Sequence, residues 1–365
     1  MPPSCAWVAK GAIRRAFTMA DAAASPHLQV RPAWLALTQE AVLEPELPIV
    51  DAHHHLWDRA GSRYLFDEWM ADLNSGHRIT DTVFVQCRSM YRQGGPQAMK
   101  PVGEVEFANG VAAQSASGQY GPVRACSAIV GFADLMLDAE LPAVLDALLQ
   151  AGNGRLRGIR NTTAWHPDAS IRSNPQPPPP GLLAQEAFRA GARLLARYDL
   201  SLDVWAYHTQ LDEVLALARA CPHTRIVLNH CGGPLGAGPY VGRREAVRRE
   251  WAQGMQAIAA LPNVWLKLGG LGMPVGGWDF QRQAAPPDSL QLAKAWRPYI
   301  ETCIDLFGPQ RCMFESNFPV DKGMFGYVSL WNAFKRLSSA LSATERTALF
   351  SGTAREVYRL QAAGQ

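Results

Sequence analysis

From residue 47 onward the chain alternates between short apolar runs and longer amphipathic stretches. The apolar runs are nearly continuous in hydrophobic residues, which is typical of strands that are buried on both faces of a parallel sheet. They predict eight strands, at residues 47–52, 82–87, 125–130, 156–160, 201–205, 225–229, 264–268 and 311–315. Polar residues follow the runs, so we expect the strands to end there.

The amphipathic stretches repeat their apolar residues at helical spacing. In residues 140–150, for example, Leu141, Leu145 and Leu148 share one face of a helix. The same spacing predicts helices at 183–197, 211–220, 243–260, 292–307 and 343–360. Eight strands that alternate with helices predict a (β/α)8 barrel, or TIM barrel, of the α/β class.

The turn after the first strand separates this fold from its runner-up, an open doubly wound sheet. That sheet would carry a glycine-rich phosphate turn there, whereas the chain has three histidines and a leucine at 53–56. We therefore predict one barrel domain at 47–365, preceded by an N-terminal arm at 1–46. Loops rich in proline and glycine, at 173–181 and 269–288, follow strands and belong to the C-terminal face of the barrel, where active sites lie.

Composition excludes several classes of protein. The 365 residues are 48% hydrophobic and 18% charged, which is ordinary for a globular chain. A net charge of +3 argues against nucleic acid as a general partner, and the apolar runs are too short for a membrane-spanning helix. Seven scattered cysteines without a CxxC motif argue against a disulfide framework and favour a cytoplasmic protein. The oligomeric state stays open, and a homodimer is one expectation.

Histidines gather at the predicted strand ends. The first strand ends in His53, His54 and His55. Because side chains alternate along a strand, His53 and His55 share one face and His54 takes the other. Two converging imidazoles suit a divalent metal or a polar pocket for an anionic substrate. The fifth and sixth strands end near His208 and His230, so we predict a site at this end of the barrel.

Four short segments carry a family resemblance. They are Asp-Ala-His-His-His-Leu-Trp-Asp at 51–58, Gly-Ile-Arg at 158–160, Leu-Asn-His-Cys-Gly-Gly-Pro at 228–234 and Met-Phe-Glu-Ser-Asn-Phe-Pro-Val-Asp at 313–321. With the histidines at strands one, five and six, they resemble the amidohydrolase superfamily, and within it the amidohydrolase 2 branch. That branch includes sugar lactonases such as fuconolactonase, the pyrone-dicarboxylate lactonase and some decarboxylases. The resemblance covers about residues 47–360.

The resemblance implies roles for individual histidines. His53 and His55 match the pair on strand one, His208 matches the histidine of strand five, and His230 matches that of strand six. It implies one divalent metal, with zinc expected, held by His53, His55 and His208. Some lactonases of this branch work without a metal, so a metal-free site is the alternative. In either case His53, His55 and His230 are expected to polarise the substrate carbonyl.

The eighth strand departs from the family pattern. The family normally has an aspartate there that activates water or binds metal, and this chain has Asn317 in its place. An amide cannot act as a general base and is a poor zinc ligand. Glu315, two residues back on the same strand face, and Asp321 are therefore the candidate catalytic carboxylates. The structural alternatives are a salt bridge inside the barrel for Glu315 and a loop cap for Asp321.

Positive and aromatic side chains near the same strand ends indicate which class of substrate the protein binds. Arg160 and Lys267 end strands four and seven, and Arg88 follows strand two. Cationic groups in such a place bind carboxylates, an arginine through two parallel hydrogen bonds, so we expect a small anionic substrate. Trp57 and Tyr207 are candidates for the wall of a pocket that takes a ring. An ion-pair or packing role is the alternative for each of these residues.

Together these features lead to one functional hypothesis with two alternatives. We expect a hydrolase that opens a lactone, a cyclic ester, bearing a carboxylate, either a sugar acid or an intermediate of aromatic degradation. The alternative that the same family supports is a metal-dependent decarboxylase of an aromatic or unsaturated acid. Because Asn317 replaces the expected aspartate, a barrel that binds a ligand without catalysis is the third hypothesis.

Overall fold

Eight parallel strands form one sheet, in which they neighbour one another in the order of the chain. The strands are β1 (Ile49–His54), β2 (Ile79–Val85), β3 (Arg124–Gly131), β4 (Leu156–Asn161), β5 (Ser201–Val204), β6 (Ile226–Leu228), β7 (Val264–Leu268) and β8 (Cys312–Phe314). All eight lie where the hydrophobic runs predict them, with ends that differ by at most three residues. The structure, a computed structural model, describes residues 25–360.

The sheet closes into a barrel through the residues that follow β8. The main-chain N–H of Asn317 donates to the carbonyl of His53 at 2.9 Å, and that of His55 donates to the carbonyl of Phe318 at 2.8 Å. This parallel pairing continues the sheet from β8 to β1, which confirms the predicted (β/α)8 barrel. The same seam holds Asn317 beside the histidines of β1.

Helices cover the outside of the barrel. Five of the predicted helices are present, as Leu141–Gly152, Glu186–Arg197, Leu211–Ala220, Arg244–Ala259 and Ser289–Phe307. The predicted helix at 343–360 is split instead. It consists of Ala343–Thr347 and Thr353–Val357, with a wider π-helical turn at Ala348–Gly352 between them.

Several elements were not predicted from the hydrophobic pattern. They are the helices Pro32–Leu35, Phe66–Leu73, Val102–Ala116 and Tyr327–Leu337, and a hairpin of Trp57–Arg59 with Ser62–Tyr64. In Val102–Ala116 small and apolar residues lie all around the helix, so no single apolar stripe stands out. Apart from Tyr327–Leu337, the other elements are short, and short elements carry few repeats of either period.

The strand β1 changes the direction of its side chains at a bulge. Four residues of β1, from Asp51 to His54, oppose three residues of β2, from Thr82 to Phe84. A bulge of this kind re-aims side chains. Ala52 belongs to the apolar layer inside the barrel, and the next residue, His53, also faces inward. The bulge therefore places the histidine pair directly above the apolar layer of the barrel.

The ends of the chain and its thiols complete the fold. Of the predicted N-terminal arm at 1–46, the structure describes residues from 25 onward, and they pack on the barrel. Cys5 lies outside the described residues, and the thiols of the six other cysteines are free. Within residues 25–360, every helix is too short or too polar to cross a membrane.

Candidate active site

The carboxylate of Glu315 joins two histidines at the centre of the barrel mouth. Its Oε1 accepts hydrogen bonds from Nδ1 of His230 at 2.7 Å and from the main-chain N–H of His230 at 3.1 Å. Its Oε2 lies 2.8 Å from Nδ1 of His53, at ion-pair distance but with poorer alignment. These contacts favour a proton on Nδ1 of both rings, which leaves each Nε2 as an acceptor.

The backbone around His230 is built to aim its ring. His230 itself has a φ of +57°, in the left-handed region that non-glycine residues adopt only at a cost. Its ring packs against Gly270, where a Cβ atom would lie 2.2 Å from Nδ1. Any side chain at Gly270 would push the ring away from Glu315. This local strain, held by the fold, is typical of a functional site.

His53 and His55 present their Nε2 atoms to each other. The two nitrogens are 3.2 Å apart. Nδ1 of His55 lies 2.7 Å from the carbonyl of Val85 and must donate to it, so Nε2 of His55 carries the lone pair. Two lone pairs that face each other attract a cation. His54 points to the other side, as predicted, and stacks on Trp69 with ring centroids 4.5 Å apart.

Arg160, at the end of β4, supplies a cation at this place. Its Nη1 lies 3.2 Å from Nε2 of His53, and its Nη2 donates to the carbonyl of Gln86 at 2.5 Å. Burial lowers the pKa of the guanidinium, but an arginine stays protonated in proteins. Arg160 is therefore a fixed positive charge between the histidines and the pocket.

Burial keeps the three imidazoles uncharged. Burial lowers the pKa of His53 and of His55 well below 6.5. The charge of Arg160 contributes to both shifts, and that of Lys267 contributes to the shift of His53. Burial also lowers the pKa of His230, although the negative charge of Glu315 opposes this shift. A neutral imidazole whose Nε2 carries the lone pair can bind a metal or accept a proton.

The histidines open into a pocket of about 250 Å³. Three arginines line it, Arg59, Arg88 and Arg160, together with His27, His55 and His230. Trp57 and Trp205 form apolar parts of the wall. Among the described residues that line the pocket, no side chain is a carboxylate. The pocket therefore favours a small anion with an apolar or aromatic surface.

Comparison with known proteins places the chain in a family. The sequence profile described as amidohydrolase, of the amidohydrolase 2 type, matches residues 50–360. The chain belongs to this amidohydrolase family. It is 32% identical over 333 residues to an uncharacterized protein of Sinorhizobium fredii, which covers 86% of this chain and 99% of that protein.

Two further relatives carry more descriptive names. One is an L-fucono-1,5-lactonase of Burkholderia ambifaria, 29% identical over 326 residues that span 85% of this chain and 95% of the relative. The other is the crystal structure of an amidohydrolase from Burkholderia multivorans with bound zinc, with a TM-score of 0.66 and 26% identity over 86% of this chain and 99% of that chain.

This amidohydrolase has a buried group of side chains that could hold a metal. His53, His230 and Glu315 each place one ligand atom within 4.8 Å of the others. The sequence-based set of His53, His55 and His208 needs correction at His208. Its Nε2 lies 3.9 Å from Glu250, and its ring meets Tyr240 edge-on at 5.1 Å.

The position of His208 has a simple cause. The strand β5 ends at Val204, four residues earlier, and His208 begins a 3₁₀ turn beyond the strand end. A residue at that distance no longer follows the alternation of the strand. His208 therefore lies beside the pocket-forming loops and not with the other histidines.

Lys267 also differs from its predicted place at the rim. The ammonium group is fully buried, 2.8 Å from a carboxylate oxygen of Asp203 and 3.5 Å from Nδ1 of His53. It lies beneath the histidines and does not line the pocket. Lys267 can act on a substrate only through His53, so the prediction of direct substrate contact is corrected.

Of the other predicted substrate contacts, Arg88 and Trp57 line the pocket and Tyr207 does not. Arg88 is exposed at the pocket mouth, where it donates to Gln176 at 2.6 Å. Trp57 lines the pocket with the guanidinium of Arg59 over its ring at 4.1 Å. Tyr207 is buried, and its hydroxyl is bonded to Ser173 at 2.7 Å. It packs under a loop and is absent from the described lining of this pocket.

Asp321 is a structural carboxyl group. Its two oxygens accept hydrogen bonds from the side-chain amide of Asn317 and from the main-chain N–H of Gly272, both at 2.8 Å. Burial raises the pKa of Asp321 to about 8. Both oxygens are engaged by these donors, and Asp321 is absent from the described lining of the pocket, so the carboxyl makes no direct contact with a substrate there and the catalytic role predicted for it is corrected. Asn317 lines the pocket.

Sequence reasoning missed Arg59, which lines the pocket, and three further residues of this region. Asp203 pairs with Lys267, the carbonyl of Gln86 holds Arg160, and His27 lines the pocket. A charged residue inside an apolar run, as at Asp203, was a readable signal of a buried ion pair. Gln86 acts through its main chain, and His27 reaches the site from a distant part of the sequence, so neither had such a signal.

Proposed function

We propose that this amidohydrolase hydrolyses the ester bond of a lactone that carries a carboxylate. The observation that carries the proposal is the His230–Glu315 pair, which faces a pocket lined by arginines. The relatives named L-fucono-1,5-lactonase support the reaction type. The arginines of the pocket support a carboxylate on the substrate, which distinguishes it from an uncharged sugar lactone.

His230 is the general base of the proposed reaction. Glu315 holds its Nδ1–H, so Nε2 accepts a proton from water in the pocket, as in other pairs of histidine and carboxylate. The water oxygen forms a bond to the lactone carbonyl carbon. The ring C–O bond then breaks, and the leaving oxygen takes the proton back from His230. The product is an open-chain hydroxy acid.

Arg160 stabilises the charge that develops during the attack. The carbonyl oxygen becomes negative in the tetrahedral intermediate, and a fixed cation in a water-poor site stabilises such an oxyanion strongly. Glu315 is a positioning residue in this scheme, because it is fully buried and reaches the substrate only through His53 and His230. Arg59 and Arg88 hold the substrate carboxylate, and Trp57 packs on its ring.

The donor set also fits a divalent metal. The Nε2 atoms of His53 and His55 are 3.2 Å apart, close to the spacing of about 3.4 Å between two nitrogen ligands of tetrahedral zinc. The contacts of Glu315 to the Nδ1 atoms, at 2.7 and 2.8 Å, are shorter than that spacing and suit hydrogen bonds. His53 and His55 would hold the metal, which supplies Lewis-acid polarisation of the carbonyl when bound.

A panel of matched compounds tests the proposed function. Purified enzyme is given six-membered lactones with and without a ring carboxylate, and acid release is followed with a pH indicator. We expect turnover of the carboxylated lactones, with kcat/KM at least about tenfold above that of the uncharged ones, since hydrogen bonds to a charged group are worth about 1.5–3 kcal/mol. Preference for the uncharged lactone contradicts the carboxylate assignment.

The same panel separates the other hypotheses. Aromatic carboxylic acids are included, and released carbon dioxide is measured. Carbon dioxide release without lactone opening would replace the proposal with decarboxylation. Binding of the lactones without any turnover would indicate a barrel that has lost catalysis.

A further inference from the structure

The N-terminal arm reaches the active-site pocket. Residues 25–46 precede the segment of 50–360 that the family profile matches. One residue of the arm, His27, nevertheless lines the pocket with Arg160 and His230. The pocket wall is therefore completed by a segment that the family match does not include.

Three nearly parallel rings connect the arm with the histidine pair. The ring of His27 lies 5.8 Å from that of Trp57, at an interplanar angle of 18°. The ring of Trp57 lies 6.0 Å from that of His55, at 24°. Offset stacking of this kind stabilises aromatic neighbours. The lining of the pocket thus includes a series of stacked rings, one of which belongs to the arm.

The arm is fixed to the loop at 269–288. Arg31 donates to the carbonyl of Gln281 at 2.6 Å, and the indole N–H of Trp34 donates to the carbonyl of Gln283 at 3.0 Å. These contacts use main-chain carbonyls, so they depend on the path of the loop and not on its side chains. The loop follows β7 on the active-site face, and the arm holds His27 at the same face.

The arm is held at both sides of Arg31. Leu28 packs so closely on Gly323 that a Cβ atom there would lie 2.5 Å from Cβ of Leu28. Further along, Thr38 donates to the carbonyl of Pro286 at 2.7 Å, and the main-chain N–H of Leu43 donates to Asn332 at 2.9 Å. The segment that carries His27 thus has contacts to the barrel before and after it crosses the loop.

The chemistry of His27 suits a wall for an anionic ring. Burial, together with the charges of Arg59 and Arg160, lowers the pKa of His27 to about 4. The imidazole is neutral at neutral pH, so it leaves the two guanidinium groups as the positive groups in its surroundings. It offers a flat surface and a ring nitrogen that can donate or accept a hydrogen bond.

We infer that the N-terminal arm is part of the substrate site, and that His27 is a specificity-determining residue which binds the ring of a carboxylated substrate. The class of substrate rests on the proposed function. The binding role of the arm does not require turnover, so the two can fail separately. Loss of His27 is expected to weaken substrate binding while the chemistry at His230 continues.

Two variants of the full chain and a control test the inference. Binding of isophthalate, an unreactive planar dicarboxylate, is measured by titration calorimetry, and kinetics are measured on the carboxylated lactones. For His27→Ala we expect the Kd and KM to rise about three- to tenfold, the effect of one stacked ring pair, with kcat within about twofold. His27→Phe keeps a flat ring and should recover much of the loss. Leu37→Ala, on an exposed side chain of the arm, should bind as the wild type does.

The outcomes decide between the inference and its alternatives. Unchanged isophthalate binding by His27→Ala overturns the inference, even where the wild type opens lactones. Failure of the wild type to bind isophthalate also overturns it. Weakened binding by His27→Ala in a protein that opens no lactone leaves the inference standing and removes the proposed function. An equal loss of isophthalate binding in Leu37→Ala would show that any substitution in the arm detaches it from the barrel, which would contradict a specific role of His27.

Discussion

Oε1 of Glu315 accepts the Nδ1–H of His230 at 2.7 Å and, in addition, its main-chain N–H at 3.1 Å. One carboxylate oxygen therefore fixes both the ring and the backbone of the same residue. The ring has its Nε2 left for the pocket, and Gly270 leaves it the space to stay there.

Removing the base should abolish most of the activity. His230→Ala deletes the group that takes the proton from water, so we expect kcat for the carboxylated lactone to fall about 10²–10⁴-fold, the usual contribution of general-base catalysis. KM should change only a few-fold, because the arginines remain. Steady-state kinetics measure both. His223→Ala, on an exposed histidine, is the matched control. A His230→Ala enzyme with wild-type kcat would reject the assignment of the base.

Removing the charge of Glu315 should move the pH profile. Burial lowers the pKa of His230 and the charge of Glu315 opposes this, so Glu315→Gln should lower the pKa of His230 further. The acid limb of kcat/KM, which reports protonation of the base, then moves to lower pH, and the plateau falls about 10²-fold. Rates from pH 4 to pH 9 measure both effects. Lower activity with an unmoved limb would indicate a merely structural role.

The two-pronged geometry of the Arg160 guanidinium, and not only its positive charge, should contribute to activity. Arg160 binds the carbonyl of Gln86 and Nε2 of His53 with two different nitrogens, a geometry that one ammonium group does not reproduce. For Arg160→Lys we expect kcat/KM on carboxylated lactones to fall about 10- to 100-fold. Arg193→Lys, in a surface ion pair with Glu186, provides the comparison. Equal kinetics for the two lysine variants would contradict the role of Arg160.

The stability of the protein should fall as the pH rises through the pKa of Asp321. The pKa of this carboxyl is 3.8 in the unfolded chain and about 8 when buried. Between these values the folded state holds a proton that the unfolded state has released, so the free energy of unfolding decreases with pH, by at most about 1.4 kcal/mol per pH unit.

Asp321→Asn replaces the carboxyl with an amide that does not titrate, so this position no longer contributes to the pH dependence of stability. The variant should lose less stability than the wild type between pH 5 and about pH 8, as measured by urea denaturation at a series of pH values. Asp305→Asn, on an exposed carboxylate, should follow the wild type. Parallel stability curves for the wild type and Asp321→Asn would show that Asp321 is ionised in the folded protein.

Metal content distinguishes two ligand sets. After removal of metal by a chelator and dialysis against zinc, we expect about one zinc per chain in the wild type, and a clear loss of zinc in His55→Ala, because Nε2 of His55 is one of the facing donors. His208→Ala should retain the metal, since His208 lies apart from them. Mass spectrometry of the metal measures the content. Loss of zinc in His208→Ala as well as in His55→Ala would restore the set that the sequence predicts.

The positions of the eight strands could be predicted from the sequence because barrel strands are buried on both faces and therefore consist of continuous apolar runs. The position of His53, His55 and His230 at strand ends also predicted that they lie together, and the structure confirms that their rings are neighbours. The expectation that residues near strand ends share one site was wrong for His208, which lies beyond the end of its strand. It was also wrong where the position of a side chain along the barrel axis decided its contacts. Lys267 has the inward parity expected of a strand residue, but parity does not tell whether an inward side chain lies at the rim or beneath it.

Contacts between distant segments had no local signal. The strand pattern of β1 gave no sign of the bulge that turns His53 inward together with Ala52. The position of His27 depends on contacts of Arg31 and Trp34 with residues about 250 positions away. A pattern within one segment predicts the segment's own structure, and only the folded chain shows which other segment it meets.

The origin of the oxygen atoms in the product shows whether His230 directs hydrolysis. Wild-type enzyme and His230→Gln are incubated with a carboxylated lactone in water labelled with heavy oxygen, and the products are analysed by mass spectrometry over time. We expect the wild type to form the open-chain hydroxy acid with one labelled oxygen in its new carboxylate, and His230→Gln to form it far more slowly. An unlabelled product, loss of carbon dioxide, or equal rates for the two proteins would contradict hydrolysis by His230.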